Sequence, residues 1–183
     1  MQTIEYRDLV DRKDWPSGPW DQEPDKRQWV DPATGLACMF VRNSMGALCG
    51  YVGVPPTHPD YGGDYDDVDV SVHGGLTFAG KCQEDGLICH RVEVGEDDDV
   101  WWLGFDMAHW LDVILQFLVL EQQMKLPATP VLDGYVKTYK TVEDVEKECT
   151  ALAAALFARL NDRSAIEAAQ RRNSPRVLAR KRR

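Results

Sequence analysis

Apolar and polar residues alternate along this chain at two periods, and the change comes near residue 106. Upstream, "GLACMFVRN" and "GALCGYVGVP" are short apolar runs flanking the turn signal Asn43–Gly46, a pattern that predicts a β-hairpin. In "VDVSVHGGLTFAG", Val68, Val70 and Val72 alternate with Asp69, Ser71 and His73, as the two faces of a strand do. "KCQEDGLICHRVEV" reads as a further hairpin turning at Glu84–Gly86. "GEDDD" is a solvated turn before the strand "VWWLGFD". There Val100, Trp102, Gly104 and Asp106 share one face, and Trp101, Leu103 and Phe105 the other.

Beyond Asp106 the spacing becomes three and four. Leu111, Ile114, Leu115, Leu118 and Val119 predict a helix that begins near Asp106 and runs to about Lys125, where the prolines of "LPATP" end it. A second helix starts at "KTVEDV", with Thr141 and Asp144 as a capping-box pair. Its apolar stripe is Val142, Val145, Cys149, Leu152, Leu156 and Leu160. Strands first and helices last predict an α+β fold: antiparallel β-hairpins followed by two C-terminal helices in a single compact domain. The expected organisation is an extended N-terminal arm over 1–28, the α+β domain over 29–162 and a basic tail over 163–183. The arm is polar and proline-rich, and tryptophans would pin it to the body. "PPTHPDYGGDYDD" reads as a loop.

Charge changes this picture. The net charge of −9 conceals a tail at +7 and a remainder at −16. An acidic body repels nucleic acid, so no general nucleic-acid binding is expected of it. The end "RRNSPRVLARKRR" reads as a solvated tail, with a polyanion-binding arm as the alternative. The run "VILQFLVL" is too short to span a bilayer, and the charged N-terminus lacks the apolar centre of a signal peptide. The odd count of five cysteines argues against a disulfide framework and for a reducing compartment.

Candidate chemistry concentrates in "VWWLGFDMAHWLD". Asp106, His109 and Asp112 are three apart and would share a helix face, with His73 as a fourth member. Two carboxylates and two imidazoles suit three roles. They can ligate a divalent metal that activates water, form a general acid–base pair with an aspartate fixing the histidine tautomer, or act structurally, with Asp106 capping the helix. Gly74 and Gly75 after His73, with the hydroxyl of Thr77, would let a ligand approach backbone N–H groups, although a tight bend accounts for the glycines equally well. Cys38, Cys49, Cys82 and Cys89 are conceivable zinc ligands, but their spacing departs from the usual knuckles and buried thiols are the default. Arg42, Lys81 and Arg91 are the few cations of the strand region, either an anion site or surface ion pairs.

The linear order of these segments resembles a family of small proteins encoded by bacteriophages and prophages. The resemblance covers roughly residues 29–156 and rests on "DPATGLAC", "MGALCGYVGVPPTHPDYG", "VDVSVHGGLTFAG", "CHRVEVGEDDDVWWLGFDMAHWLD" and "YKTVEDVEKECTALAAAL". It includes a W-x-GFD-x-AH-x-x-D signature met by Trp102, Gly104, Phe105, Asp106, Ala108, His109 and Asp112. The segment "WLDVILQFLVLEQQ" is more apolar than that family's pattern. Carried over by resemblance, the residues of interest are Arg42, Tyr51, His58, His73, Gly74, Gly75, Thr77, Asp106, His109 and Asp112. The resemblance implies expression in the cytoplasm of a bacterial host and no particular activity.

Three functions fit these residues. The first is a counter-defence protein that binds and sequesters a small ligand, a nucleotide among the candidates. Tyr51, Trp102 and Phe105 would stack on a base, Arg42 and the 73–75 backbone would meet phosphate, and Asp106 or Asp112 would accept from ribose or base. The second is a metal-dependent hydrolase with His73, Asp106, His109 and Asp112 as ligands. The third is an acidic binder of a host protein.

Overall fold

The computed structural model describes residues 3–82, 88–90, 99–125, 131–132 and 134–173. The expected hairpin turn at Glu84–Gly86, Arg91 and the residues 174–183 of the tail lie outside them.

Six strands form one antiparallel sheet: β1 (Ile4–Tyr6), β2 (Lys26–Val30), β3 (Ala37–Arg42), β4 (Leu48–Val54), β5 (Phe78–Lys81) and β6 (Trp101–Asp106), in the order β1-β2-β3-β4-β6-β5. A small hairpin, β7 (Val131–Leu132) with β8 (Tyr135–Val136), stands apart from it. Three α-helices complete the described chain, α1 (Leu115–Gln123), α2 (Val142–Arg159) and α3 (Arg163–Arg172), beside two short 3-10 turns at Pro19–Gln22 and Tyr65–Asp67. The α+β class is as expected, with one helix more.

The β3–β4 hairpin forms where its pattern put it, in register from Ala37 opposite Gly53 to Arg42 opposite Leu48. Its turn needs Gly46, which adopts φ +84° while its N–H donates to the Asn43 carbonyl at 2.9 Å. On β6 the alternation separates two apolar clusters. Leu103 and Phe105 join Phe40, Leu48 and Val52 beneath α2, while Trp102 joins Met39, Val41, Cys49 and Tyr51 on the opposite face.

Helix α2 starts at the predicted cap. The Thr141 side chain accepts from the Asp144 N–H, and the Asp144 carboxylate accepts from the Thr141 N–H at 2.8 Å. Its stripe Val145, Cys149, Leu152 and Leu156 has no exposed surface, and each such side chain contributes about 1.5–3 kcal/mol by leaving water.

Three expectations fail for physical reasons. Residues 68–77 are not a strand; only 78–81 are. Val68, Val70 and Val72 all pack on the α2 cluster, and left-handed Gly74 and Gly75 turn the chain before it pairs with β6. The first helix begins at Leu115 instead of near Asp106, because 107–114 is held as a loop. Asp112 bridges Thr138, Val113 N–H donates to the Thr138 carbonyl at 3.1 Å, and Thr138 N–H donates to the Leu111 carbonyl at 2.9 Å. Asp106 therefore ends a strand and does not cap a helix.

Third, Cys82 and Cys89 are joined in a disulfide, contrary to the free thiols expected there. Cys38 and Cys49 lie in clusters on opposite sheet faces, so the four cysteines form no zinc set. Burial, with Asp31 nearby, pushes the Cys38 thiol up to about 12, and burial, with Asp106 nearby, pushes Cys49 up to about 11.

The N-terminal stretch does more than the expected arm. β1 pairs with β2, and Trp20 is buried with its indole N–H on the Pro16 carbonyl. Buried Asp25 accepts from Arg12 and from the Leu9 N–H at 2.8 Å.

Candidate functional site

Three segments meet where β6 ends: the turn at 73–77, the loop 107–114 and the chain at 138–140. The turn is attached to β6 by the Thr77 N–H on the Gly104 carbonyl at 2.8 Å. The third segment is attached through the Asp112–Thr138 bridge. His73, Thr77, Asp106, His109 and Asp112 are thereby brought together.

Asp112 is the hub. Its carboxylate is buried, and Oδ2 accepts from His73 Nε2 at 2.7 Å and from the His109 backbone N–H at 2.9 Å. Its other oxygen, Oδ1, is 3.9 Å from Lys140 Nζ. With that carboxylate as acceptor, His73 Nε2 carries a proton, and Nδ1 takes no part in that bond. The His73 backbone N–H is held separately by Glu148 Oε2 at 3.0 Å, which ties the turn to α2.

The second imidazole, His109, lies 5.2 Å from His73 between ring centroids, inclined at 57°. Its Nε2 is buried without a hydrogen-bond partner among the described residues, 3.9 Å from Asp106 Oδ1. Asp106 in turn accepts from Thr77 Oγ1 at 3.0 Å and from the Ala108 N–H at 3.1 Å. The site is thus two histidine–aspartate pairs side by side. The imidazoles keep a quarter and a third of their surface in solvent, so a small molecule can reach them.

Gly74 has a different role from the one its sequence suggested. A Cβ there would overlap His109 Nε2 and its neighbouring ring carbons. The glycine makes room for a protein imidazole. Gly75 has nothing within 4 Å of its Cβ position and is the one open to a visitor.

Six expected site residues are elsewhere or inaccessible. Arg42 has no exposed surface; it binds Glu23 Oε2 at 2.6 Å, the Tyr139 hydroxyl at 3.0 Å and the Gly46 carbonyl at 3.1 Å. Its charge is spent inside the fold and cannot meet a phosphate. His58 is buried, with Nε2 on the Leu156 carbonyl at 2.9 Å and Nδ1 accepting from the Asp60 N–H at 3.1 Å. Burial depresses its pKa, which keeps the ring neutral. Trp102 and Phe105 are core residues, and Tyr51 is buried, its hydroxyl pKa raised by that burial with Cys49 and Asp106 nearby. None of the three aromatics offers a face to a base. Lys81 is a surface cation paired with Asp99 at 2.7 Å.

The expected metal set is not formed as a ligand sphere. Both hydrogen-bond donors on Asp112 Oδ2 come from the other site residues, and among the described residues no three His, Cys, Asp or Glu side chains are grouped to hold an ion. A separate open groove of about 410 Å³ lies beside Arg27, Trp29, Glu146 and Thr150, but Arg27 is already clamped by Glu5 and Glu146. Among the described residues no helix is long and apolar enough to cross a membrane.

Sequence reasoning overlooked Lys140, which lies within reach of Asp112, and Glu148, which fixes the His73 turn. Both sit at helix-start and helix-face positions whose polarity looks like ordinary solvent exposure. Comparison with protein-family models, curated proteins and solved structures finds no match for this chain.

Proposed function

We propose that this chain is a phage-encoded accessory protein acting in the cytoplasm of a bacterial host, in counter-defence, by holding a small nucleotide-like ligand at the His73–His109 pair without turning it over. The phage and cytoplasmic setting rests on the resemblance described above, since the Cys82–Cys89 disulfide removes the cysteine argument for a reducing compartment. The ligand-holding role rests chiefly on one observation, the 2.7 Å bond from His73 Nε2 to buried Asp112 beside a second, partly open imidazole. A buried carboxylate that orients a quarter-exposed histidine is a costly arrangement for structure alone, and it leaves Nδ1 ready to accept or, when protonated, donate.

Holding is favoured over metal-dependent hydrolysis because among the described residues no three His, Cys, Asp or Glu side chains are grouped to hold the ion that would activate a water. The free thiols of Cys38, Cys49 and Cys149 are buried and offer no nucleophile. Phosphate would be met by the imidazoles and Lys140, while Asp106 would accept from ribose or base donors. Native mass spectrometry of protein purified from bacteria tests this. A stoichiometric small adduct, released chemically unchanged on heating and absent from His73→Asn/His109→Asn, is expected. A wild-type protein without adduct, or one that returns a cleaved product, overturns it.

A further inference from the structure

Resting on that ligand-holding reading, we infer that Trp110 and Tyr135 form a stacking subsite for a planar heteroaromatic ring of the ligand, beside the histidine pair. The aromatic residues expected to stack are buried, whereas Trp110 and Tyr135 are the two most exposed aromatics among the described residues. Trp110 is 58% and Tyr135 56% exposed. Their rings meet edge to face at 5.3 Å between centroids and 71° between planes. An edge-to-face contact fixes the indole while occupying at most one face of each ring, so a flat face stays available.

Both aromatics are tied to the site by backbone. Trp110 directly follows His109. Tyr135 lies three residues before Thr138, which bridges Asp112 and exchanges hydrogen bonds with residues 111 and 113. The same bridge that holds loop 107–114 out of a helix therefore carries the indole and the phenol beside the Asp112 hub. Lys140, two residues past the bridge, brings a cation to within 3.9 Å of that hub. A ring on Trp110 with a charged or hydroxylated group reaching His73, His109 and Lys140 is the composition of a mononucleotide. Stacking accepts any base, so the subsite needs no base-reading side chain.

The test uses three probes, adenosine 5′-monophosphate, adenosine and ribose 5-phosphate, titrated into the full chain by calorimetry. Trp110→Ala, at a surface position, is expected to weaken both adenine compounds about tenfold or more and to leave ribose 5-phosphate within twofold, with Trp110→Phe restoring most of the loss. His73→Asn/His109→Asn is expected to weaken both phosphorylated probes. If Trp110→Ala leaves adenosine 5′-monophosphate unchanged while the histidine variant loses it, the stacking subsite is wrong and the ligand-holding reading stands. If Trp110→Ala alters self-association in sedimentation and not nucleotide affinity, the pair is a protein contact and the inference fails. A wild-type chain that binds none of the three overturns both readings.

Discussion

Nε2 of His109 occupies the space in which a Cβ on Gly74 would stand. Gly74 also has φ +69°, a conformation that L side chains adopt only with strain. Gly74→Ala should therefore displace the imidazole and destabilise the fold by about 2–4 kcal/mol, strain and overlap together. Gly75→Ala shares the unfavourable φ, at +90°, but meets no atom and should cost only about 1–2 kcal/mol. Urea unfolding of the two variants checks this; equal losses would mean that His109 is free to move aside.

The His73–Asp112 bond should be separable as a coupling energy. A double-mutant cycle on His73→Ala and Asp112→Ala is expected to return about 1.5–3 kcal/mol, the range for hydrogen bonds to a charged group. Asp112→Ala alone should cost more than His73→Ala, because it strands both N–H donors now on Oδ2. A coupling near zero would remove the orienting role assigned to Asp112.

His58 makes stability depend on pH in a defined direction. Burial lowers its folded pKa below the unfolded value near 6.5, so the unfolded chain binds the proton first. Its contribution is complete above about pH 6.5 and is lost as pH falls toward the folded pKa, with a slope of up to about 1.4 kcal/mol per pH unit. Unfolding free energies at pH 7.5, 6.5 and 5.5 should show a flatter profile for His58→Asn than for the wild type. A parallel profile would show that His58 takes up its proton in the fold as readily as out of it.

Arg42 should behave as a structural residue. Replacing it by methionine leaves Glu23 with the neutral donors Tyr139 and Val142 and takes one of two cations from fully buried Asp25, and about 3–5 kcal/mol of stability should be lost. Glu23→Gln in the same chain should recover part of it. Whatever fraction remains folded should bind adenosine 5′-monophosphate with wild-type affinity; a selective loss of binding would return Arg42 to the site.

Much of the fold was legible because it is decided locally. The Asn43–Gly46 turn, the two faces of β6 and the Thr141–Asp144 cap each depend on residues within a few positions of one another. The convergence of His73 with Asp106, His109 and Asp112 was legible as a possibility, since the residue types were right. Its basis was not. Asp106, His109 and Asp112 were placed on one face of a helix, whereas a strand end and a loop bring them together. Residues 107–114 carry a helical spacing, but the backbone of Leu111 and Val113 is committed to Thr138, some 25 residues on, and no local pattern announces such a partner.

By itself, the sequence determined the α+β class, the central hairpin, the capped helix α2 and a cluster of imidazoles and carboxylates, because periodicity and capping are short-range properties. Tertiary structure alone decided which of those polar groups face solvent. Arg42 and His58 look like ligands by composition and are buried by long-range packing, while Trp110 looks like core and stands open. Burial is set by what the rest of the chain lays over a residue, and that is written in pairings across the whole sheet, not in the neighbours of any one position.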